Sequence, residues 1–203
     1  MFDHLLRLFK DRLLGPFARA LGPSLSPNVI SVVAFLFGIA SAVAAYRASD
    51  GAALCFWLVN RTFDGLDGTH ARVHARQTDF GGYFDIVLDF VVYAAIPSAL
   101  VAAAGSMALA TAGMFLLSAF FVNAASLMYL AAILERREIG AMARGELTTI
   151  TMPPGIVAGT ETVVFFSLFL AVPTCRLALF WIMGALVCAN VLQRLWWARQ
   201  AIR

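Results

Sequence analysis

Residues 64–89 of this chain read DGLDGTHARVHARQTDFGGYFDIVLD, an acidic stretch inside an otherwise very apolar sequence. Four of its aspartates stand at helical spacing: Asp64, Asp67, Asp85 and Asp89. The first two are three residues apart and the last two are four apart, so each pair shares one face of a helix. Because carboxylates are costly in or near a bilayer, acidic side chains in such surroundings indicate a functional site.

The composition around this stretch is that of a membrane protein. Of the 203 residues, 61% are hydrophobic and only 13% are charged, which excludes an ordinary soluble domain. Apolar stretches of about 18 or more residues cross the hydrocarbon layer as helices. The sequence therefore predicts an all-α integral membrane protein of one domain, residues 1–203, with six transmembrane helices. The predicted spans are about 28–48, 51–68, 81–104, 107–135, 152–172 and 176–198.

An amphipathic surface helix is predicted before the first span, over about residues 3–14. Leu5, Phe9 and Leu13 recur at helical spacing, with charged residues on the other side, until Gly15-Pro16 interrupts the pattern. This helix is expected either to lie in the membrane interface or to pack on the cytoplasmic ends of the bundle.

The basic residues predict the orientation. With six spans, all of the 15 Lys and Arg residues except Arg47 and Arg176 fall on one side of the membrane. Cytoplasmic loops carry such an excess, so both termini and the acidic site are expected to face the cytoplasm from a multi-pass cytoplasmic (inner) membrane location. A net charge of only +3 makes nucleic acid an unexpected partner, whereas anionic membrane lipids suit the basic side chains.

The two acidic helices are joined by a short connection, Thr69–Phe80, and are therefore expected to be antiparallel neighbours with converging carboxylates. Two unit charges about 4 Å apart repel by roughly 1 kcal/mol in water and several times more at a lower effective dielectric. Four such groups need a cation. Ligands with oxygen alone favour Mg²⁺, Mn²⁺ or Ca²⁺ over Zn²⁺ or copper, and four carboxylates suffice for two ions. His70 and His74 in the connection are expected to be solvated.

Small residues accompany the carboxylates. Gly68, Ala71 and Gly81 leave the backbone bare, which allows a ligand or another helix to approach closely. Arg72 follows one turn after Asp67 and can bind a phosphate or pair with a carboxylate.

The full pattern is D-x-x-D-G-x-x-A-R, eight further residues, and then G-x-x-x-D-x-x-x-D. It resembles the complete signature of the CDP-alcohol phosphatidyltransferase family, with every fixed position present. The resemblance implies an enzyme of phospholipid biosynthesis. Such an enzyme transfers a phosphatidyl, or related phosphoryl-lipid, group from a CDP-activated lipid such as CDP-diacylglycerol to the hydroxyl of a small alcohol, and releases CMP.

The resemblance also implies roles for individual residues. Asp89 would act as general base on the acceptor hydroxyl, and the cofactor would be Mg²⁺ or Mn²⁺, as two ions. The implied metal ligands are Asp64, Asp67, Asp85 and Asp89. The implied contacts to the CDP-lipid are Asn28, Asp64, Gly68, Ala71, Arg72 and Gly81. A homodimer is implied by the family alone.

The acceptor alcohol is not specified by these motifs. Arg136, Arg137, Arg144 and Arg194 share the predicted side of the acidic site, where an arginine pocket would suit a phosphorylated acceptor. Anchoring at the cytoplasmic surface accounts for the same arginines. Glu161, in an apolar stretch, is expected to be a buried hydrogen-bond partner or an interface residue and not a catalytic group.

Two rival functions remain at this point. An intramembrane prenyltransferase also uses aspartates on helices, and Asn60-x-x-x-Asp64 faintly resembles its first motif, but such enzymes have more spans and two distant motifs. A divalent-cation transporter needs a polar path across the membrane, whereas the spans that follow Asp89 are almost wholly apolar. Phosphatidyl transfer is favoured over both.

Overall fold

A computed structural model describes residues 2–138, 140 and 155–202, with side chains from residue 12 onward. Within these residues every long element is an α-helix and no strand is present. The helices are α1 (Phe2–Leu21), α2 (Pro27–Tyr46), α3 (Asp50–Val73), α4 (Asp79–Ala104), α5 (Met107–Arg136), α6 (Gly159–Ala171) and α7 (Arg176–Ala201), with a 3₁₀ turn at Pro173–Cys175.

Four predicted spans coincide with helices of the structure. The segments 28–48, 81–104, 107–135 and 176–198 lie within three residues of the bounds of α2, α4, α5 and α7. In the described part of the chain, these four regions are the helices long and apolar enough to cross a membrane. Helix α3 carries too many charges near its end, and α6 has 13 residues. Residues 152–154 of the predicted span 152–172 lie outside the described residues, so the count of six stays a prediction.

Helix α3 is longer than predicted, because it continues past residue 68 to Val73. Ala71 and Arg72 are therefore helical, and the turn to α4 occupies only residues 74–78. Thr78 caps α4 by accepting a hydrogen bond from the Gly81 amide at 3.0 Å. The expected connection Thr69–Phe80 was thus too long, since the buried side chains described below hold the last turn of α3 in place.

Helix α1 also runs further than predicted, passing Gly15 and Pro16 and ending at Leu21. Its second half packs on the bundle: Ala18 is fully buried and forms a cluster with Ile30 and Leu66. This apolar contact compensates for the hydrogen bond that a proline removes from a helix interior. The choice between the two expected locations of the predicted helix 3–14 stays a prediction. The side chains of residues 2–11 lie outside the description.

The chain divides into two compact units. The first comprises the residues up to Gly105 together with Phe166–Pro173, and the second comprises Ser106–Phe165 together with the residues from Thr174 onward. In the first unit, α2 packs closely against both α3 and α4. A Cβ atom at Gly38 would lie 2.5 Å from Cγ2 of Val92, so glycine there permits the close approach of α2 and α4.

Two buried polar side chains fix α2 against α3. Ser41 donates a hydrogen bond to the carbonyl oxygen of Ala53 at 2.8 Å, and the Asn60 amide donates to the carbonyl oxygen of Ala34, also at 2.8 Å. In surroundings with little competing water, such bonds specify one register between two apolar helices. Helix α2 therefore fixes the position of α3, the helix that carries Asp64 and Asp67.

In the second unit, α5 packs against α7. A Cβ atom at Gly184 would lie 2.6 Å from Cε1 of Phe115, so the bare backbone of α7 receives this ring. Asn190 of α7 accepts a hydrogen bond from the Ile156 amide at 2.8 Å and donates to the carbonyl oxygen of Val157 at 3.1 Å. The segment before α6 is thereby tied to α7.

Candidate active site

The four motif aspartates lie on the facing ends of α3 and α4. Helix α2 packs closely against both of these helices. Helices α3 and α4 contact each other mainly through side chains, among them the ion pair between Arg61 and Asp89. Asp85 interacts electrostatically with the other three aspartates and with Arg61. The structure thus brings the predicted acidic residues within electrostatic range of one another, as one cluster at the facing ends of α3 and α4.

Arg61 is at the centre of the cluster, although the sequence analysis assigned it no role. Its Nη2 lies 2.7 Å from Oδ1 of Asp89, and its Nη1 lies 3.5 Å from Oδ2 of Asp64. The same Nη1 donates to the hydroxyl oxygen of Tyr93 at 3.0 Å. A single guanidinium therefore bridges one carboxylate on α3 and one on α4.

Asp67 is held from the opposite side. Its carboxylate is only 5% exposed and accepts a hydrogen bond of 2.6 Å from the hydroxyl of Ser31, which is itself buried in α2. Charge-assisted hydrogen bonds of this kind are short and strong. Ser31 therefore fixes the orientation of the Asp67 carboxylate relative to α2.

The donor set fits a hard divalent cation, because it consists of carboxylate oxygens from adjacent helices. In the residues that the structure describes, however, no three His, Cys, Asp or Glu side chains are grouped closely enough to hold a metal ion. Asp89 is turned toward Arg61 and Asp67 toward Ser31. Two of the residues that could hold a metal, Asp67 and Asp89, are thus in contact with other side chains of this protein.

The residues predicted to contact the CDP-lipid form two groups beside the acids. At the start of α4, a Cβ atom on Gly81 would lie 3.3 Å from Oδ1 of Asn28, so these two residues adjoin. On α3, a Cβ atom on Gly68 would lie 3.2 Å from Nη1 of Arg72. Ala71 is partly exposed on the same helical turns. Their proposed contact with nucleotide remains a prediction.

The expectation that His70 is solvated was wrong, whereas His74 follows the end of α3 and is partly exposed. His70 is fully buried, with Nδ1 3.3 Å from the carbonyl oxygen of Ala18 and Nε2 3.0 Å from that of Leu25. His74 places Nε2 3.1 Å from the carbonyl oxygen of Ala18. These side chains satisfy carbonyl groups at and beyond the end of α1, so they join α1 to the last turns of α3.

Replacing His70 by Phe is expected to destabilise the protein by about 1–3 kcal/mol, because the ring volume stays while buried carbonyl groups lose a partner. Thermal unfolding in detergent would measure the loss. Gln77→Ala, in the exposed turn before α4, is the control and should leave the melting temperature unchanged. Equal melting temperatures for the two variants would contradict the structural role of His70.

The arginines predicted to bind the acceptor belong to the second unit. Arg194 is buried and donates to the carbonyl oxygen of Asn123 at 3.0 Å. Arg136 is exposed, and Arg137 is exposed and donates to the carbonyl oxygen of Ile202. Arg144 lies outside the described residues. Their role in acceptor binding stays a prediction.

Glu161 is exposed, so the expected burial was wrong, and the alternative of an interface residue stays a prediction. Its Oε2 accepts a hydrogen bond from the amide of Ala158 at 3.0 Å, one turn back at the start of α6. Capping of free amides at a helix N-terminus explains an acidic residue in this apolar stretch without any catalytic function.

Sequence reasoning missed Arg61 and Ser31. The spacing of Arg61 and Asp64, three residues apart on one helix, was a usable signal for an ion pair. Ser31 gave no such signal, since it is 36 residues from Asp67 in sequence and meets it only through the packing of α2 on α3.

The chain matches one protein-family model and is similar in sequence to proteins of other organisms. A family model described as CDP-alcohol phosphatidyltransferase matches residues 24–196. The inner membrane protein YnjF of Escherichia coli (strain K12) is 33% identical over 174 residues, covering 86% of this chain and 83% of that protein. A bifunctional IPC transferase and DIPP synthase of Aquifex aeolicus (strain VF5) is 43% identical over 75 residues, which cover 37% of this chain and 17% of that protein.

Solved structures show the same fold. The phosphatidylinositol phosphate synthase PgsA1 of Mycobacterium tuberculosis with CDP-DAG bound superposes with a TM-score of 0.71 at 21% identity, covering 91% of this chain and 92% of that chain. The same synthase in complex with manganese and citrate gives a TM-score of 0.70 at 20% identity, covering 91% of this chain and 88% of that chain.

Proposed function

The chain belongs to the CDP-alcohol phosphatidyltransferase family, an enzyme class of phospholipid synthesis, and on this basis we propose the following reaction. A phosphatidyl group passes from a CDP-activated lipid, of which CDP-diacylglycerol is the leading candidate, to the hydroxyl of a small alcohol. CMP is released. The site opens to the cytoplasm from the inner membrane, and the enzyme works as a homodimer.

The observation that carries this proposal is the concentration of the four signature aspartates at the facing ends of α3 and α4, within electrostatic range of one another. Asp85 interacts with the other three, and Arg61 bridges Asp64 to Asp89. A protein that used the motif for packing alone would have no reason to concentrate like charges beside apolar helices. A centre for a pyrophosphate and its counter-ions does require such a concentration.

We assign Asp64, Asp67, Asp85 and Asp89 as ligands for Mg²⁺ or Mn²⁺, with two ions as the proposed number. A synthase of the same fold was solved with manganese, which supports a divalent ion here. When bound, the metal would neutralise the pyrophosphate and the departing CMP. The oxygen-only donor set of the chain suits that task.

The remaining chemistry is assigned to residues of this chain. Asp89 accepts the proton of the acceptor hydroxyl, whose oxygen forms a new bond to the phosphorus of the lipid phosphate. The bond from that phosphorus to the bridging oxygen breaks, and CMP leaves with the electron pair. Asn28 and Gly81 on one side, and Gly68, Ala71 and Arg72 on the other, are proposed to hold the CDP group.

For the acceptor we propose a phosphorylated alcohol, with Arg136, Arg137 and Arg194 as its proposed contacts. Arg194 is a buried guanidinium near the end of α7, Arg136 is the last residue of α5, and Arg137 is its C-cap. The names of the relatives, phosphatidylinositol phosphate synthase among them, are compatible with this choice. Anchoring at the membrane surface remains the competing role of the two exposed arginines.

We expect the purified protein in proteoliposomes to release CMP from CDP-diacylglycerol only when a divalent metal and an alcohol are both present. The acceptors to compare are glycerol 3-phosphate, inositol phosphate, inositol, serine, choline and phosphatidylglycerol. EDTA should abolish release, and Mg²⁺ or Mn²⁺ should restore it. Uptake of divalent cations without CMP release would support the transporter and contradict the proposed reaction.

A further inference from the structure

Arg61 is held more firmly than an ordinary ion-pair partner. Its side chain is 10% exposed, and its guanidinium carbon lies 4.8 Å from the ring centre of Trp57 and 5.4 Å from that of Tyr93. Its Nε donates to Oδ1 of Asn60 at 2.7 Å. Its other nitrogens reach Asp64, Asp89 and the Tyr93 hydroxyl, so the guanidinium is held by aromatic rings as well as by hydrogen-bond and ion-pair partners along its edges.

The groups around Arg61 are themselves fixed. Trp57 is fully buried, donates to the hydroxyl of Ser167 at 3.1 Å and stacks on Phe166 with ring centres 5.1 Å apart. Asn60 is tied to α2 through the carbonyl oxygen of Ala34. Buried neighbours therefore hold the guanidinium in place, in contrast to an ion pair between two flexible side chains at a protein surface.

We propose that Arg61 is the internal counter-ion of the acidic site, and that a divalent ion must compete with it for Asp64 and Asp89. This inference rests on the proposed function, because it concerns the same metal ligands. Without metal, the guanidinium offsets the repulsion between carboxylates on α3 and α4 and keeps the two helices together. Its Nη2, 2.7 Å from Oδ1 of Asp89, directs that carboxylate toward α3.

Two consequences distinguish this role from simple packing. Removing the charge should destabilise the metal-free protein, because the carboxylates lose their counter-ion. The same change should strengthen metal binding, because the ion no longer competes with a cation a few ångströms away. A residue that only fills space would lower stability equally with and without metal.

The experiment compares Arg61→Gln with the wild type. The electron paramagnetic resonance signal of Mn²⁺ measures metal binding. Thermal unfolding, in EDTA and in saturating Mn²⁺, measures stability. We expect Mn²⁺ to bind at least about tenfold more tightly to Arg61→Gln, since the Coulomb energy of a unit charge at this range exceeds a tenfold change in affinity. The melting temperature in EDTA should fall, and its rise on adding Mn²⁺ should exceed that of the wild type.

Arg76→Gln is the matched control, because Arg76 belongs to the same unit and its guanidinium donates to the carbonyl oxygens of Pro23 and Leu25. Its Mn²⁺ affinity should equal that of the wild type. Arg61→Lys keeps the charge but loses the planar fork and should bind Mn²⁺ more tightly than the wild type, by less than Arg61→Gln. If Arg61→Gln does not fold, Arg61→Lys alone decides the question.

Unchanged or weaker Mn²⁺ affinity in the Arg61 variants would overturn the counter-ion role. The result would leave the proposed function standing wherever the wild type still binds Mn²⁺ and releases CMP. A wild-type protein that neither binds Mn²⁺ nor releases CMP would contradict the proposed function itself.

Discussion

Asp89→Asn is expected to lower the rate of CMP release by about 10²–10⁴-fold, the usual contribution of a positioned general base. The amide has nearly the shape of the carboxylate but cannot take the acceptor's proton. The amide keeps one oxygen, to which Arg61 can still donate as it does to Oδ1 of Asp89, and the Tyr93 hydroxyl, 3.3 Å from Oδ2, can accept from the new amide NH2 group. Donor binding should survive, because Asn28 and Gly81 are unchanged.

The measurements for this variant are the initial rate of CMP release at saturating donor and the binding of CDP-diacylglycerol without acceptor. Asp50→Asn is the control, since Asp50 begins α3 about 21 Å along the helix from Asp64 at 1.5 Å per residue. It should keep the wild-type rate. Because Asp89 is also a proposed metal ligand, the assay is repeated at saturating Mn²⁺: recovery of the wild-type rate there would reject the general base and leave only a ligand.

The apolar helices could be predicted from the sequence because the required signal is local. An uncharged run long enough to cross the hydrocarbon layer specifies a helix without reference to its neighbours. Helices α2, α4, α5 and α7 therefore appear where hydropathy placed them. Likewise, the spacing of the aspartates specified which of them share a face, since that spacing is a property of the helix alone.

Other features depend on contacts between distant residues and could not be predicted in this way. Pro16 predicts the end of a helix, yet α1 continues because Ala18 is buried against Ile30 and Leu66. His70 lies in a polar segment that is typical of a loop, yet its side chain is buried. Its ring nitrogens contact carbonyl oxygens at and beyond the end of α1. In each case a tertiary contact outweighs a local preference.

The acidic site shows both kinds of information. Convergence of the aspartates was predicted from charge and spacing, whereas the side chains that engage them were not. Arg61 reaches Asp89 across 28 residues of sequence, at a distance that only the packing of α3 and α4 on α2 determines. The acidic residues of this site could thus be predicted from the sequence, whereas the side chains that contact them could not.

Asp67→Ala is expected to weaken Mn²⁺ binding by more than about 100-fold. Loss of a partner that only orients a metal ligand typically costs 10–100-fold, and loss of the ligand itself should cost more. Asp67 is the most buried of the four aspartates in the described structure, at 5% exposure, and its carboxylate is held in place by Ser31. CMP release at limiting metal should fall in parallel.

Ser31→Ala provides a graded comparison, because it removes the 2.6 Å hydrogen bond to Asp67 and leaves the carboxylate in place. Its Mn²⁺ affinity should fall by about 10–100-fold, between the values for the wild type and Asp67→Ala. Asp50→Ala, at the far end of α3, should bind Mn²⁺ as the wild type does. If Asp67→Ala bound Mn²⁺ as tightly as Asp50→Ala, Asp67 would not be a ligand, and its bond to Ser31 would serve only to join α2 to α3.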